Sequence, residues 1–485
     1  ETKIICMRNT IYKHSSIVTA MSNTLKIAIE GCCHGELNDI YNSIPDIESL
    51  DLLLICGDFQ SLRNKCDLQS LNVPLKYQRM ADFHEYYSGK RKAPVLTIFI
   101  GGNHECSSYL QELKYGGWVA PNIYYLGEFG SIWYKGLQIT GWSGIFNYHT
   151  FIANNIEMEK LPFDSRTIRS VYHQKLANFL KMYMMNHDMD IVLSHDWPVG
   201  IEKYGNVKRL LKLKPFFRDD IQRGQLGSPL NKFLIHYLRP RYWFSGHLHV
   251  KFEARIVDLV RSTDKKKSAT TVDLITESNK EEISLDMDDE EEEEGGNVRE
   301  VSFEEKFYFK QHLNPAKRPK NDLTPERDVC EHATEFLALD KCGKRRQFLD
   351  IKTIEVHNTS HPSFINAGKL YYSKRSIAIN KVVEKYLNDN RQDFTELNTK
   401  QILSNPQQFP LVNELMPIIE NDFKSMQKNI TDEDFFMVPE NFQTIAPTDD
   451  EHTESKLKYY PNNQTLEYCE KFGIPKLVLS KESDQ

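Results

Sequence analysis

The chain has 485 residues, 40% of them hydrophobic, with nine cysteines and a net charge of -7. That leaves room for one large domain with additions and excludes a chain disordered throughout. The charge is local: Asp286 and Asp288–Glu294 are all acidic and leave the rest at +1, so overall charge neither supports nor excludes an RNA partner.

In chain order, residues 1–20 read as a leader extension, because the chain opens at Glu1 and Met21 stands just before an apolar strand. From 21 to 258 the pattern is α/β. Strands are predicted over Leu25–Glu30, Leu52–Cys56, Val95–Ile100, Ile132–Lys135, Gln138–Thr140, Ile191–Ser194 and Tyr242–Ser245, several as unbroken apolar runs suited to burial on both faces. Helices fit at Leu37–Ile44, Gln78–Tyr87, Ile168–Met185 and Ser228–Leu238, the last opened by a Ser-Pro cap. Lys135-Gly136 is a hairpin turn. Residues 259–328 are polar and carry the acidic run, and read as a disordered insertion. Order returns over 329–360 as two strands, Glu335–Leu339 and Gln347–Ile351. Residues 368–485 read as a small helical domain with a loose tail, its helices over Ile377–Leu387 and Gln401–Met426.

The chemistry lies at the strand ends. Cys32-Cys33-His34, Gly57-Asp58, Gly102-Asn103-His104-Glu105, Ser194-His195-Asp196 and Gly246-His247-Leu248-His249 each follow an apolar run. Singly, each has a plain explanation: a helix cap, a turn residue, a buried thiol. As an ordered set at strand carboxyl ends they supply donors for two divalent cations side by side, the equipment for cleaving a phosphate ester. Asp58 is the candidate bridge. Asn103, His195 and His247 suit one ion. His34, Cys32 and His249 suit the other, provided the chain turns between His247 and His249. His104 is not needed as a ligand and is the candidate general acid, with Glu105 placed to orient it.

These motifs resemble the calcineurin-like metallophosphoesterases, with Cys32 where that superfamily has aspartate. Gly31-Cys32-Cys33-His34-Gly35-Glu36-Leu37, Gly57-Asp58-Phe59-Gln60, Tyr115–Tyr124, Leu193–Pro198 and Phe336–Cys342 are similar to the RNA lariat debranching enzymes. The resemblance implies a four-layer β-sandwich flanked by helices, with a small helical carboxy-terminal domain. It implies hydrolysis of the 2′–5′ phosphodiester at the branch point of excised intron lariats. One ion would be held by Cys32, His34, Asp58 and His249, the other by Asp58, Asn103, His195 and His247. His104 would protonate the leaving 2′ oxygen. A thiolate at position 32 favours iron, zinc or manganese over magnesium. A lariat-recognition loop is implied near 143–173, with Ser143, Gly144, Arg169 and Tyr172 as substrate contacts; Asn147–Pro162 departs from the family there. The implied partner is branched intron RNA.

Lys208, Arg209, Lys212, Lys214 and Arg218, interleaved with Phe216 and Phe217, form a candidate phosphate-contacting patch, and equally a solvated helix face. Trp142, Phe146, Tyr148 and Phe151 suit base stacking or plain packing. The scattered cysteines point to a reducing compartment, cytosol or nucleus. Lys317-Arg318-Pro319-Lys320 is a short basic cluster of the nuclear-import kind. No apolar run is long enough to span a bilayer. A broader nuclease or protein phosphatase on the same scaffold, and a non-catalytic scaffold, are the competing readings; Cys32 counts against the phosphatase, and the intact donor set against the scaffold.

Overall fold

The computed structural model describes residues 23–261, 329–366, 368–451 and 456–477. The predicted leader, nearly all of the acidic insertion and the basic cluster at 317–320 lie outside them.

Thirteen strands among the described residues form two sheets. They are β1 (Thr24–Glu30), β2 (Leu52–Ile55), β3 (Thr97–Phe99), β4 (Gly117–Ala120), β5 (Ile123–Tyr125), β6 (Phe129–Tyr134), β7 (Leu137–Trp142), β8 (Ile191–Ser194), β9 (Tyr242–Ser245), β10 (Phe252–Arg261), β11 (Val329–Ala338), β12 (Leu349–Glu355) and β13 (Leu370–Tyr372). One sheet runs β12-β1-β2-β3-β5-β4, the other β10-β11-β9-β8-β7-β6-β13. Leu52–Ile55 and Ile191–Ser194 are buried at every position, as unbroken apolar strands must be. Between the sheets, Ile27, Ile29, Leu52 and Leu54 pack with Ile139, Ile191, Leu193 and Phe244. Helices cover both outer faces through separate apolar clusters, so the four-layer arrangement holds.

Local chemistry explains several boundaries. Ser228 Oγ accepts from Asn231 N and caps Pro229–Leu238. Lys135 and Gly136 both sit at positive φ, as a two-residue turn between twisted strands requires. The predicted helix Ile168–Met185 is two helices, Thr167–Ser170 and Leu176–Tyr183, and Gln401–Met426 divides into Thr399–Ser404 and Pro410–Asn429. Pro406 and Pro410 account for the second break.

Two boundaries differ from expectation, that of the insertion and that of the tail. The strand β10 continues to Arg261, inside the predicted insertion, and pairs with β11 down to Arg261 opposite Val329. The carboxy-terminal region is largely helical, as expected, and is tied into the core: β13 extends the second sheet against β6, and Gln464 grips both the N–H and the carbonyl of Trp118 on the edge strand β4. The predicted loose tail contains the helix Asn463–Phe472, which buries Tyr468, Cys469 and Phe472.

A buried ion cluster fastens this region to the rest. Glu384, on the helix Lys374–Asp389, accepts from Lys114 at 2.9 Å and Lys181 at 2.6 Å. Burial works against its charge, but the two ammonium groups outweigh it and hold the carboxyl at about 2. Its stabilising effect is therefore complete above about 4.5, its unperturbed value, and fades as pH falls toward 2. Glu384→Gln should leave two lysines uncompensated and destabilise the fold by about 3–5 kcal/mol at neutral pH. In urea titrations across pH 6 to 2, the gap between wild type and variant should narrow toward the acid end; a constant gap would refute this account.

Candidate dinuclear metal centre

The strands β1, β2 and β3 of one sheet and β8 and β9 of the other end at a common edge, and the ligand candidates are the residues that follow. Their backbone is bent to present them. His34, Asp58, His247 and His249 sit at φ +46°, +49°, +66° and +48°, left-handed positions that cost a non-glycine residue about 1–3 kcal/mol each. The turn at His247–His249 sends Leu248 into the core, fully buried, so the two histidines need not share one face. A Cβ at Gly57 would lie 2.2 Å from His195 Nδ1, and one at Gly102 would lie 2.2 Å from Asp58 Oδ1. Only glycine lets these loops close on the carboxylate.

Two donor sets meet at Asp58. Cys32, His34, Asp58 and His249, all buried, have their ligand atoms within 4.8 Å of one another. Nε2 of His34 lies 3.2 Å from Nε2 of His249 and 3.6 Å from Asp58 Oδ2. On the other side His195 Nε2 lies 3.3 Å from Asp58 Oδ1 and 3.1 Å from Asn103 Oδ1. The His247 ring stands 5.0 Å from that of His195, centroid to centroid, and its backbone N–H donates to Cys32 Sγ.

These groups fit divalent cations. The Nδ1–H of His195 donates to the Cys56 carbonyl at 2.7 Å, which leaves Nε2 facing the Asp58 and Asn103 oxygens. Burial opposes a charge on this imidazole, but Asp58 outweighs it and favours a proton on Nε2, the place a cation would take. His249 Nδ1 is buried without a hydrogen-bond partner. Burial pulls the His34 imidazole down to about 3 and His249 well below its usual range, so both stay neutral, as ligands must. Burial opposes the Asp58 charge, but His195 and then His104 hold the carboxyl well below its usual range. Burial, then Asp58 and Glu30, push the Cys32 thiol up; a cation would reverse that balance.

Comparison with known proteins agrees with this geometry. Residues 25–251 match the family model described as calcineurin-like phosphoesterase, and residues 331–477 match the one described as lariat debranching enzyme, C-terminal domain. A lariat debranching enzyme A of Xenopus laevis is 37% identical over 93% of this chain and 70% of its own length. A lariat debranching enzyme of Homo sapiens is 36% identical over 93% and 69%, and that of Saccharomyces cerevisiae is 42% identical over 70% and 79%. The chain belongs to the lariat debranching enzyme family. It is accordingly a hydrolase with a metallophosphoesterase domain that binds divalent metal.

Within this debranching-family site, His104 stands at the rim, its ring 5.5 Å from that of His34. Its backbone N–H donates to Asp58 Oδ1, and its Nδ1–H donates to the Asn72 carbonyl at 3.0 Å. A proton to be transferred is then carried on Nε2. Glu105 does not orient it, against expectation. Its carboxylate accepts from the backbone N–H groups of Phe59, Gln60 and Gly102 and ties the Asp58 loop to the Asn103 loop.

The expected substrate contacts divide. Ser143 Oγ accepts from Gly101 N and donates to the Gly127 carbonyl, and Gly144 sits at φ +91° with no room for a Cβ against the Tyr172 carbonyl. Both hold loops together. The Tyr172 hydroxyl accepts from Asn72 Nδ2 at 2.6 Å, which buttresses the residue that fixes His104. Arg169 is exposed on the short helix Thr167–Ser170 and stays outside the cleft that Ser143, Gly144 and Tyr172 line. Trp142, Phe146 and Phe151 are buried, the Trp142 indole donating to Asn231, and are core and not stacking platforms; Tyr148 is half-buried against the same cluster. Glu30 escaped sequence reasoning. It is wholly buried behind the ligands, neither oxygen has a hydrogen-bond partner, and burial followed by Asp58 pushes its carboxyl well up. The signal was a lone acid closing an otherwise apolar strand.

His104→Gln should slow cleavage about 10²–10⁴-fold while metal content stays at the wild-type level. Metal loss in step with activity would make His104 a ligand.

Proposed function

We infer that the chain hydrolyses the 2′–5′ phosphodiester at the branch point of excised intron lariats and so linearises them for turnover. The observation that carries this reading is the pair of donor sets sharing Asp58, with His104 held beside them by Asn72. The relatives named as lariat debranching enzymes supply the substrate class. Cys32, His34, Asp58 and His249 would hold one cation, and Asp58, Asn103, His195 and His247 the other. Bound there, two divalent cations supply Lewis acidity, activation of a water and neutralisation of phosphate oxygens. The chain's own groups do the rest. Asp58 keeps its negative charge and spans both sets. His195 is locked in one tautomer by Cys56. His104 holds a proton on Nε2 and delivers it to the leaving 2′ oxygen, keeping Nδ1–H on Asn72 throughout.

The purified chain, assayed with a branched RNA and its linear 3′–5′ counterpart, should cleave the branch and spare the linear strand. Asp58→Ala should abolish cleavage and release metal from both sets. Equal cutting of both RNAs would make the chain a broader nuclease.

We assign the Cys32 set to iron, zinc or manganese over magnesium, on the softness of the thiolate. Cys32→Asp should raise the share of activity supported by magnesium or manganese and lower that supported by iron or zinc. An unchanged metal profile would remove Cys32 from the ligands. We place the protein in the nucleus, where excised introns arise; the basic cluster Lys317–Lys320 supports this.

A further inference from the structure

The metal centre has two flanks. On the Asn103 side, Gly101 and Gly102 abut Ser143, Gly144 and Tyr172. On the Cys32 side the neighbour is the loop between β11 and β12. Cys32 forms a parallel bridge with Lys341, Cys342 N donates to the Cys32 carbonyl at 3.1 Å, and Gly31 N donates to the Phe348 carbonyl at 3.2 Å. Asp340 closes the loop on itself by accepting from Arg346 at 2.9 Å. The loop's tip carries Lys344 and Arg345, both exposed, and Arg345 sits at φ +61°.

The tip does not stand alone. Arg209, on the helix Val207–Leu213, reaches Gln347 Oε1 at 3.5 Å, and Lys208 and Lys212 are exposed on the same helix. Phe216, which follows it, is 54% exposed, with the Lys214 ammonium 5.6 Å from its ring centre. Among the described residues Lys208, Lys212, Lys344 and Arg345 make no ion pair. Some exposed cations elsewhere are paired, as Arg91 is with Glu85, Lys369 with Glu440 and Arg391 with Glu157, and others such as Lys400 and Lys424 are not; what sets this patch apart is its place beside Cys32. The loop's own acid, Asp340, is already taken by Arg346.

We propose that the loop Asp340–Phe348 and the helix Val207–Leu213 form a second RNA-contacting surface, which holds one single-stranded arm of the branched substrate as it leaves the Cys32 side of the metal centre. The proposal rests on the debranching reading and adds where an arm runs. A branch point has three arms, so a scissile phosphate seated at Asp58 must send chain out past both flanks. Lys344, Arg345, Arg209, Lys208 and Lys212 offer point charges and guanidinium forks to successive phosphates. The exposed Phe216 ring offers a base a sequence-tolerant stacking face.

The test uses two branched RNAs with the wild type and with Lys344→Ala/Arg345→Ala. One is the bare branched trinucleotide; the other carries long single-stranded arms. The wild type should prefer the long-armed substrate by KM. In the variant that preference should fall about tenfold, and the slope of log KM against log salt for the long-armed RNA should flatten by about 1.4, at about 0.7 per lost single-strand phosphate contact. Metal content measured on the same samples separates a lost contact from a disturbed site. A variant that keeps the wild-type preference and salt slope overturns the proposal. So does one that loses activity on both RNAs in equal proportion. A wild type that cleaves neither branched RNA overturns the debranching reading, and this proposal with it.

Discussion

Everything at the strand ends depends on keeping the Asp58 carboxylate charged where burial would neutralise it. Chief among the groups that outweigh the loss of solvent is the facing His195 imidazole, itself held charged by Asp58. Its two oxygens look in different directions, Oδ1 toward His195 and Oδ2 toward His34, so one side chain belongs to both donor sets. That requirement propagates outward. Gly57 and Gly102 must lack side chains, and four ligand candidates must adopt left-handed backbone. Glu105 must take the three N–H groups that bind the Asp58 and Asn103 loops into one unit. Strain of this kind persists only where the surroundings over-determine it, and the two sheets packed beneath do so.

The carboxy-terminal region belongs to the same frame. Glu384 pairs with two lysines from the phosphoesterase part, and Gln464 completes an edge strand that would otherwise present open hydrogen-bonding groups. On another side, the buried Arg63 joins Asp67 and Glu112, while Glu112 also accepts from Tyr460 N. Arg63 follows the Asp58 motif by a few residues, so the far end of the chain helps hold the loop beside the site. A region with such ties is a structural part of the catalytic unit.

Much of this was legible in the sequence, for a physical reason. Apolar runs that end in Asp, Asn or His are uncommon, and strand carboxyl ends in α/β sheets gather at one edge, so residue type and position together indicate a place in space. The strands Ile191–Ser194 and Tyr242–Ser245 were readable because burial on both faces leaves an unbroken apolar run. The short strands β4, β5 and β13 were not, since their pairing is dictated by neighbours far along the chain. The same holds for side-chain roles. The Asn72–Tyr172 bond spans 100 residues and has no local signature. Ser143 looks like a substrate contact in a loop, yet spends its hydroxyl on backbone groups of two other loops. Trp142, Phe146 and Phe151 read equally as platform or core, and burial alone decided between them.

The antiparallel ladder of β10 and β11 is paired residue for residue until Arg261 faces Val329. The two strands are thus registered by their own hydrogen bonds and by the β11–β9 pairing, whatever joins their far ends. Closing a longer connection costs little, about 0.6 kcal/mol for each doubling of its length. The length and charge of the connection can therefore change at this point while the metal edge, built from other strand ends, keeps its geometry. For the protein engineer the same hairpin end is an insertion port, where a reporter domain with closely spaced termini can be carried without being felt at Asp58.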